Sequence, residues 1–174
     1  MKDNKTILPA SVLVSLFKDS LVLPENKINP AKIEEAEVNL SSPLKYLGDH
    51  VKKIVVIVND PNSVYLNEPD FILLTSILNA CRLTISDIAL VNLGNQNANL
   101  HQILINLPSK LVIAFEVDSK SLKIKLPTNL YKLTPLGESN LLFSKSLSSM
   151  QGMDVSAKQE KAKLWAVLKQ IFQI

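Results

Sequence analysis

The segment Asn-Asp-Pro-Asn at residues 59–62 places a carboxylate directly after a run of β-branched residues. In α/β folds the functional site lies at the carboxyl ends of the strands, so Asp60 could act there as a base that activates a water molecule. An aspartate before a proline also occurs in turns, where its side chain bonds its own backbone. The sequence allows Asp60 to be either a catalytic base or a turn residue, and we expect the turn role.

The other reactive side chains are few. Ser144, Lys145 and Ser146 could form a Ser/Lys nucleophile pair, although two hydroxyls beside a lysine in a serine-rich loop commonly occur by chance. Neither His50 nor His101 has an Asp or Glu at a sequence spacing that would indicate a catalytic pair. We therefore expect ordinary surface or capping roles for both histidines.

The counts of cysteine, histidine and glycine exclude several classes of cofactor and metal site. The chain has 1 Cys, 2 His and 4 Gly, which excludes a disulfide framework, a four-cysteine metal site, an iron–sulfur cluster and the glycine-rich phosphate loops. We therefore expect no cofactor and no bound metal, and the one cysteine, Cys81, is expected in the core.

Charge and hydropathy indicate the compartment and limit the partners. The net charge of +3 is too small to require a nucleic-acid partner, and Arg82 is the one arginine. The apolar stretch at residues 7–23 is broken by Pro9, Lys18 and Asp19, so it is neither a signal peptide nor a membrane span. We expect a cytoplasmic protein without membrane contact.

Hydrophobic patterning predicts alternating strands and helices after residue 50. The β-branched run at residues 53–58 is typical of a strand buried on both faces, as in a parallel sheet. Similar patterns predict further strands at residues 88–93, 111–115, 130–134 and 141–144, and helices at residues 67–82, 99–107 and from about 156 to the C-terminus. Such alternation predicts a three-layer α/β/α domain with a central, mainly parallel sheet.

The chain is predicted to have two parts, an N-terminal helix and linker at residues 1–45 and an α/β domain at residues 46–174. In the first part Leu13, Leu16 and Phe17 fall at i, i+3 and i+4, which forms an apolar stripe on a helix. A short helix on a polar, proline-containing linker buries little by itself. The stripe either docks on its own domain or binds a groove on another protein.

Three segments, taken in order, resemble the uracil-DNA glycosylase-like fold. Asp60-Pro61 matches the family's water-activating loop, residues 71–91 match its helix and second strand, and residues 142–147 with the final helix match its closing loop and helix. The catalytic-loop histidine of that family is replaced here by Ser144, and its Tyr-His pair by Asn62-Ser63. The resemblance therefore implies the fold without its chemistry, with Asp60 as a vestigial candidate.

The same outline is similar to the psi-subunit family of the bacterial DNA polymerase III holoenzyme. Shared features are the N-terminal segment, the Asn59-Asp60 pair after the first strand, and the closing segment from Ser144 to Trp165. This resemblance implies a non-catalytic replication accessory subunit whose N-terminal segment binds clamp-loader subunits, with Leu13, Leu16 and Phe17 as the contacts. It implies also that the α/β body carries a chi-like partner that leads to single-strand-binding protein.

Two alternatives remain open. A divergent uracil-DNA glycosylase would use Asp60 and would have to act without the histidine at position 144. A protein that binds nucleic acid without chemistry would show salt-dependent binding through its lysines. On the psi-like interpretation we expect DNA contact to be indirect or weak.

Overall fold

The computed structural model describes residues 43–174, and its centre is a mixed sheet of five strands in the order β2-β1-β3-β5-β4. Strands β1, β2, β3 and β5 are parallel, and β4 pairs antiparallel with β5. The strands are β1 (Ile54–Val58), β2 (Ile88–Asn92), β3 (Leu111–Phe115), β4 (Leu133–Leu136) and β5 (Ser139–Ser144). The predicted α/β class with a mainly parallel sheet is confirmed.

Three helices connect or follow the strands: α1 (Glu68–Ala80), α2 (Leu100–Asn106) and α3 (Val155–Phe172). Asn67, Asn99 and Asp154 cap their N-termini, each accepting a backbone N–H three residues ahead. Pro69 lies in the first turn of α1, where its missing N–H costs nothing. The predicted helices at 67–82 and 99–107 and the C-terminal helix are therefore confirmed to within a few residues.

The sheet separates two hydrophobic clusters. In β1, Ile54, Val56 and Val58 face the cluster that includes residues of α1 and α3, whereas Val55 and Ile57 face the cluster that includes residues of α2. All five residues of β1, of β2 and of β3 are buried, which explains why their sequences show no polar alternation. Cys81 is buried in the first cluster as expected, and this burial raises the pKa of its thiol.

Both edges of the sheet are protected. Leu47 exchanges two backbone hydrogen bonds with Leu90 of β2, at 2.9 and 2.8 Å, so the chain before β1 covers that edge. The turn that follows needs Gly48, because its φ is +104° and a Cβ there would lie 2.3 Å from the Ile88 carbonyl oxygen. The opposite edge is β4, a short strand interrupted by Pro135.

The strand predicted at residues 130–134 is displaced. Leu130 makes one isolated bridge to Phe143, and Tyr131 has a φ of +57°, which interrupts the extended chain. The strand then runs over Leu133–Leu136, because the turn at Gly137 and Glu138 fixes its antiparallel register with β5. Gly137 takes a φ of +59° in that turn.

Strand order reverses beside β1. The chain passes from β1 through α1 to β2 on one side, and then through α2 to β3 on the other side of β1. The carboxyl ends of β1 and β3 therefore flank the point at which two successive connections diverge. Among the described residues, no helix is both long enough and apolar enough to cross a membrane.

Candidate site at the carboxyl edge of the sheet

Four loops meet at the carboxyl ends of the parallel strands. They follow β1, β2, β3 and β5, at residues 59–67, 93–99, 116–122 and 145–154. These are the loops that the predicted α/β order marks as the functional edge, and hydrogen bonds connect several of them.

The carboxylate of Asp60 is occupied by donors of its own loop. Its Oδ1 accepts the N–H of Asn62 at 3.0 Å, and its Oδ2 accepts the N–H of Asn67 at 3.0 Å and the Asn67 Nδ2 at 3.2 Å. Partial burial raises the pKa of Asp60, but hydrogen bonds from Ser63, Asn62 and Asn67 outweigh burial and hold the pKa below its usual value. The arrangement is that of a turn, in which the carboxylate stabilises the loop.

Asn92, the last residue of β2, holds the loop after β1 through side-chain hydrogen bonds to its backbone. Asn92 is 1% exposed, and its Oδ1 accepts the N–H groups of Asp60 and Gly94, each at 2.9 Å. Its Nδ2 donates to the carbonyl oxygens of Asp60 at 2.7 Å and of Ser63 at 2.9 Å. This role of Asn92 is not among the predictions from the sequence, although a single amide at the end of an otherwise apolar strand is a usable signal.

Gly94 permits the two loops to touch. A Cβ at this position would lie 2.5 Å from the carbonyl carbon of Asp60 and 2.6 Å from the Pro61 nitrogen. Any larger residue would push the loop after β2 away from the loop after β1, so glycine is required here for close approach.

Asp70 joins helix α1 to the loop after β5. Its side chain is buried, and its Oδ2 accepts the Asn67 Nδ2 at 2.9 Å and the Ser148 hydroxyl at 2.6 Å. Its Oδ1 accepts the amide of Gln151. A carboxylate in the first turn of a helix is also stabilised by the helix dipole. The sequence indicated the helix start, but it gave no sign of the contact 78 residues further along the chain.

A cleft of about 160 Å³, which we call the first cleft, lies between these loops. Its lining combines the ends of β1 and β3 with the start of α1 and the loop after β5, and includes Val58, Asp60, Asp70, Phe115, Glu116 and Ser148. Glu116 is exposed and has a φ of +53°, and its N–H donates to the Ser144 carbonyl oxygen at 3.0 Å.

A second cleft of about 430 Å³ lies beside the first, and Asn59 lines both. Its walls are the loops after β2 and β3, and its described lining consists of apolar, amide and hydroxyl groups with no charged side chain. The residues are Asn59, Leu93, Gly94, Asn95, Gln96, Asn97, Ala98, Val117 and Ser121. Asn59 thus lies between the two clefts.

The Ser/Lys candidate is not arranged for catalysis. Ser144 is 2% exposed, and the Nζ of Lys145 lies 3.2 Å from the Oε1 of Glu160. Glu160 also accepts from Lys163 at 2.9 Å. The lysine that would activate a nucleophile is therefore engaged in an ion pair.

Glu160 interrupts the lysine-rich side of α3, where the sequence pattern alone predicts a solvated face, but the structure buries this acid. Glu160 is 5% exposed. Hydrogen bonds from Tyr131, Lys163 and Lys145 together lower its pKa to about 2, although desolvation opposes them. Burial, with the hydrogen bond to Glu160, raises the pKa of Tyr131 to about 12. The acid joins α3 to the chain around β5.

The remaining candidates lie apart from this edge. The Nε2 of His50 is 2.9 Å from the Ser109 hydroxyl near the amino ends of the strands, where burial and then Lys53 lower the pKa of the imidazole. His101 is exposed in the first turn of α2. Within residues 43–174, no group of three or more His, Cys, Asp or Glu side chains is placed to hold a metal ion. Leu13, Leu16 and Phe17 lie outside the described residues.

Fold and site together define a mixed α/β protein whose carboxyl edge is a network of amide and carboxylate hydrogen bonds. No protein-family model matches the chain, and no curated protein is significantly similar to it.

Proposed function

We propose that this protein is a non-catalytic accessory subunit of the replicative DNA polymerase, similar to the psi subunit, with a degenerate uracil-DNA glycosylase-like fold. The observation that supports the proposal most directly is the hydrogen bonding of the Asp60 carboxylate. By the sequence resemblance Asp60 corresponds to the glycosylase water-activating residue, and its carboxylate oxygens accept three hydrogen bonds from Asn62 and Asn67.

The arrangement of the loops supports the proposed fold. The loop with Asp60 follows β1, and the loop with Ser146 and Ser148 follows β5, and both line the first cleft. The resemblance requires this pairing, because the glycosylase water-activating loop and closing loop act on one substrate.

The chemistry of the first cleft favours a role without catalysis. A general base needs an accessible lone pair and a pKa near the working pH. Donors of its own loop engage both carboxylate oxygens of Asp60 and hold its pKa below the usual value, which is the direction opposite to that of a general base poised for neutral pH. Ser144, at the position of the missing histidine, is buried. An accessory subunit needs no such groups.

On this proposal the N-terminal segment binds clamp-loader subunits through Leu13, Leu16 and Phe17. The α/β body carries a chi-like partner and so connects the loader to single-strand-binding protein. Contact with DNA is then indirect or weak.

The direct test is affinity capture with the tagged full chain from its source cell, followed by reconstitution. We expect clamp-loader subunits in the captured material, and a stable complex on size exclusion when the purified components are mixed. Absence of any complex between the purified full chain and the purified clamp loader would overturn the proposal.

A second candidate, a divergent uracil-DNA glycosylase, is favoured by one observation. Asp60 lies at the carboxyl end of β1 beside a polar cleft, where the functional site of an α/β fold is expected. The test is incubation of the purified protein with a uracil-containing oligonucleotide. Base release by the wild-type protein that Asp60→Asn abolishes would establish this activity and displace the first proposal.

A further inference from the structure

The lysines of α3 are divided between two flanks of the helix. On one flank Lys163, together with Lys145 of the preceding loop, pairs with the buried Glu160, at 2.9 and 3.2 Å. At 100° per residue the other three lysines fall on the other flank, in one sector of about 80° with Trp165 and Phe172. These lysines are Lys158, Lys161 and Lys169. Within residues 43–174 none of the three forms an ion pair.

The stability of the helix does not account for these three lysines. Lys158 lies in the first turn of α3, where the helix dipole disfavours a cation, and it stands three residues from Lys161, which repels it. The carboxylate of Asp154 caps the helix by accepting the N–H of Ala157, and in the described part of the chain it makes no ion pair with Lys158. The fold thus leaves the charge of this flank uncompensated, which favours an acidic partner.

Apolar side chains of α1 face this flank of α3. Ile77 of α1 and Phe172 of α3 line the same small cavity, which is floored by side chains of β1 and β3. Leu73 lies one turn before Ile77, and Trp165 lies two turns before Phe172. All four side chains are half-buried and pack against the same core cluster. The two helices therefore leave a shallow groove between them whose floor is apolar.

We call this surface the α1–α3 groove. Its floor and its rim are formed by Leu73, Ile77, Trp165 and Phe172, and by Lys158, Lys161 and Lys169. The acids of the two helices do not compensate the lysines of the rim. Asp70 and Glu160 are buried and hydrogen-bonded to other partners, and at 100° per residue Glu68 falls on the side of α1 opposite to Ile77. The groove is therefore apolar at its floor and positive at its rim.

We infer that the α1–α3 groove binds an acidic amphipathic helix of a partner protein. The apolar face of that helix packs on the floor of the groove, and its carboxylates pair with the lysines of the rim. Lys158 and Lys169 are about 16 Å apart along α3, so the bound helix needs about three turns to reach both. The groove shares no lining residue with the two clefts at the carboxyl edge. The inference depends neither on the N-terminal stripe nor on the clamp loader.

The groove fits a protein helix better than a nucleic acid. Leu73 and Ile77 are aliphatic and offer no partner to a phosphate or to the edge of a base. The rings of Trp165 and Phe172 pack against the core cluster, whereas a platform for base stacking presents an exposed aromatic face. An acidic amphipathic helix matches both the apolar floor and the lysines.

Trp165 is the one tryptophan of the chain, so its fluorescence reports on the groove directly. The full chain is titrated with a synthetic, tryptophan-free helix of about four turns, which carries leucines at i, i+3, i+4 and i+7 with glutamates beside them. We expect a saturable blue shift of the Trp165 emission, and an affinity that falls as the salt concentration rises. No change of the emission at millimolar peptide overturns the inference.

Two further probes distinguish the possible occupants of the groove. A peptide of the same composition in scrambled order keeps the charge but lacks the apolar face, and it should bind about tenfold more weakly. Oligothymidylate supplies phosphates and bases, and it should leave the Trp165 emission unchanged. An equal response to the scrambled peptide or to the oligonucleotide overturns the inference.

Matched variants test the assignment of residues. Lys158→Gln combined with Lys169→Gln should weaken binding of the acidic helix about fivefold, because two exposed ion pairs are lost. Lys120→Gln combined with Lys132→Gln removes the same charge from exposed positions after β3 and before β4, and should have no effect. Leu73→Ala should weaken binding without changing its salt dependence, and its urea midpoint verifies that the variant is folded. Equal losses in the two lysine pairs, or full affinity of both groove variants, contradict the assignment.

Discussion

The Oδ1 of Asn92 accepts the backbone N–H of Asp60 at 2.9 Å, which joins the end of β2 to the loop after β1. Through the Asp60 carboxylate the contact continues to Asn67, and from there to Asp70 and Ser148. This chain of side chains spans the carboxyl edge of the sheet from β2 to the loop after β5. The Asp60 carboxylate, which was the best candidate for a catalytic group, therefore belongs to the hydrogen-bond network that holds these loops together.

Replacing Asn92 should destabilise the fold strongly. In Asn92→Ala the N–H groups of Asp60 and Gly94 lose their acceptor in a buried place, at a cost of about 3 kcal/mol in the free energy of unfolding. Urea denaturation measures this cost. Asn79→Ala, at an exposed position of α1, should change the value by less than about 0.5 kcal/mol. Equal effects of the two variants would refute the role given to Asn92.

Asp60→Asn should lower stability at neutral pH, because the new amide presents an NH₂ group to donors that now face a carboxylate. The folded pKa of Asp60 is depressed, so its contribution is present above the ordinary value of 3.8 and is lost as the pH falls through the lower folded value. The difference in urea midpoint between the wild type and Asp60→Asn should therefore shrink below pH 3.8. A pH-independent difference would contradict this.

Loss of the Ser148 hydroxyl should loosen the loop after β5 with little change in global stability. Ser148→Ala removes one donor to Asp70, while Asn67 and Gln151 continue to donate to it. Hydrogen exchange should accelerate in residues 145–151 and stay unchanged in β1. Ser156→Ala, at an exposed position, serves as the control. Uniform acceleration through the sheet would show that the contact supports the whole fold.

Glu160→Gln should remove a pH-dependent contribution to stability. The pKa of Glu160 is lowered from 4.5 to about 2 by Tyr131, Lys163 and Lys145, so its contribution is complete above pH 4.5 and disappears as the pH falls towards 2. Urea midpoints at pH 6, 4 and 2.5 should converge for the wild type and Glu160→Gln. Glu138→Gln, which changes an exposed acid, should follow the wild type throughout.

Much of the fold is predictable because local rules and burial agree in it. β-branched runs fill β1 and β3, which are buried on both faces, and Asn67 with Pro69 marks the start of α1. The displaced strand is the exception. Tyr131 adopts a positive φ, which no local pattern indicates, and the turn at Gly137 then determines the register of β4.

The site is less predictable, because its contacts join residues far apart in the chain. Asp60 could be placed at the end of a strand, and its alternative role in a turn could be stated. That Asn92 would reach back 32 residues to it could not be predicted. Glu160 illustrates the same limit. Its position on a lysine-rich helix favours exposure, whereas in the structure it is buried, pairs with Lys145 and accepts a hydrogen bond from Tyr131.

The central claim is that the N-terminal stripe binds the clamp loader while the α/β body performs no chemistry. Titration calorimetry of the full chain against purified clamp loader tests it, with the triple variant Leu13→Ala, Leu16→Ala and Phe17→Ala. Val22→Ala is the control, since on the helix that the sequence predicts, at 100° per residue, position 22 would fall opposite Leu13. The account predicts at least a tenfold loss of affinity in the triple variant and none in the control. Unchanged affinity of the triple variant would contradict it.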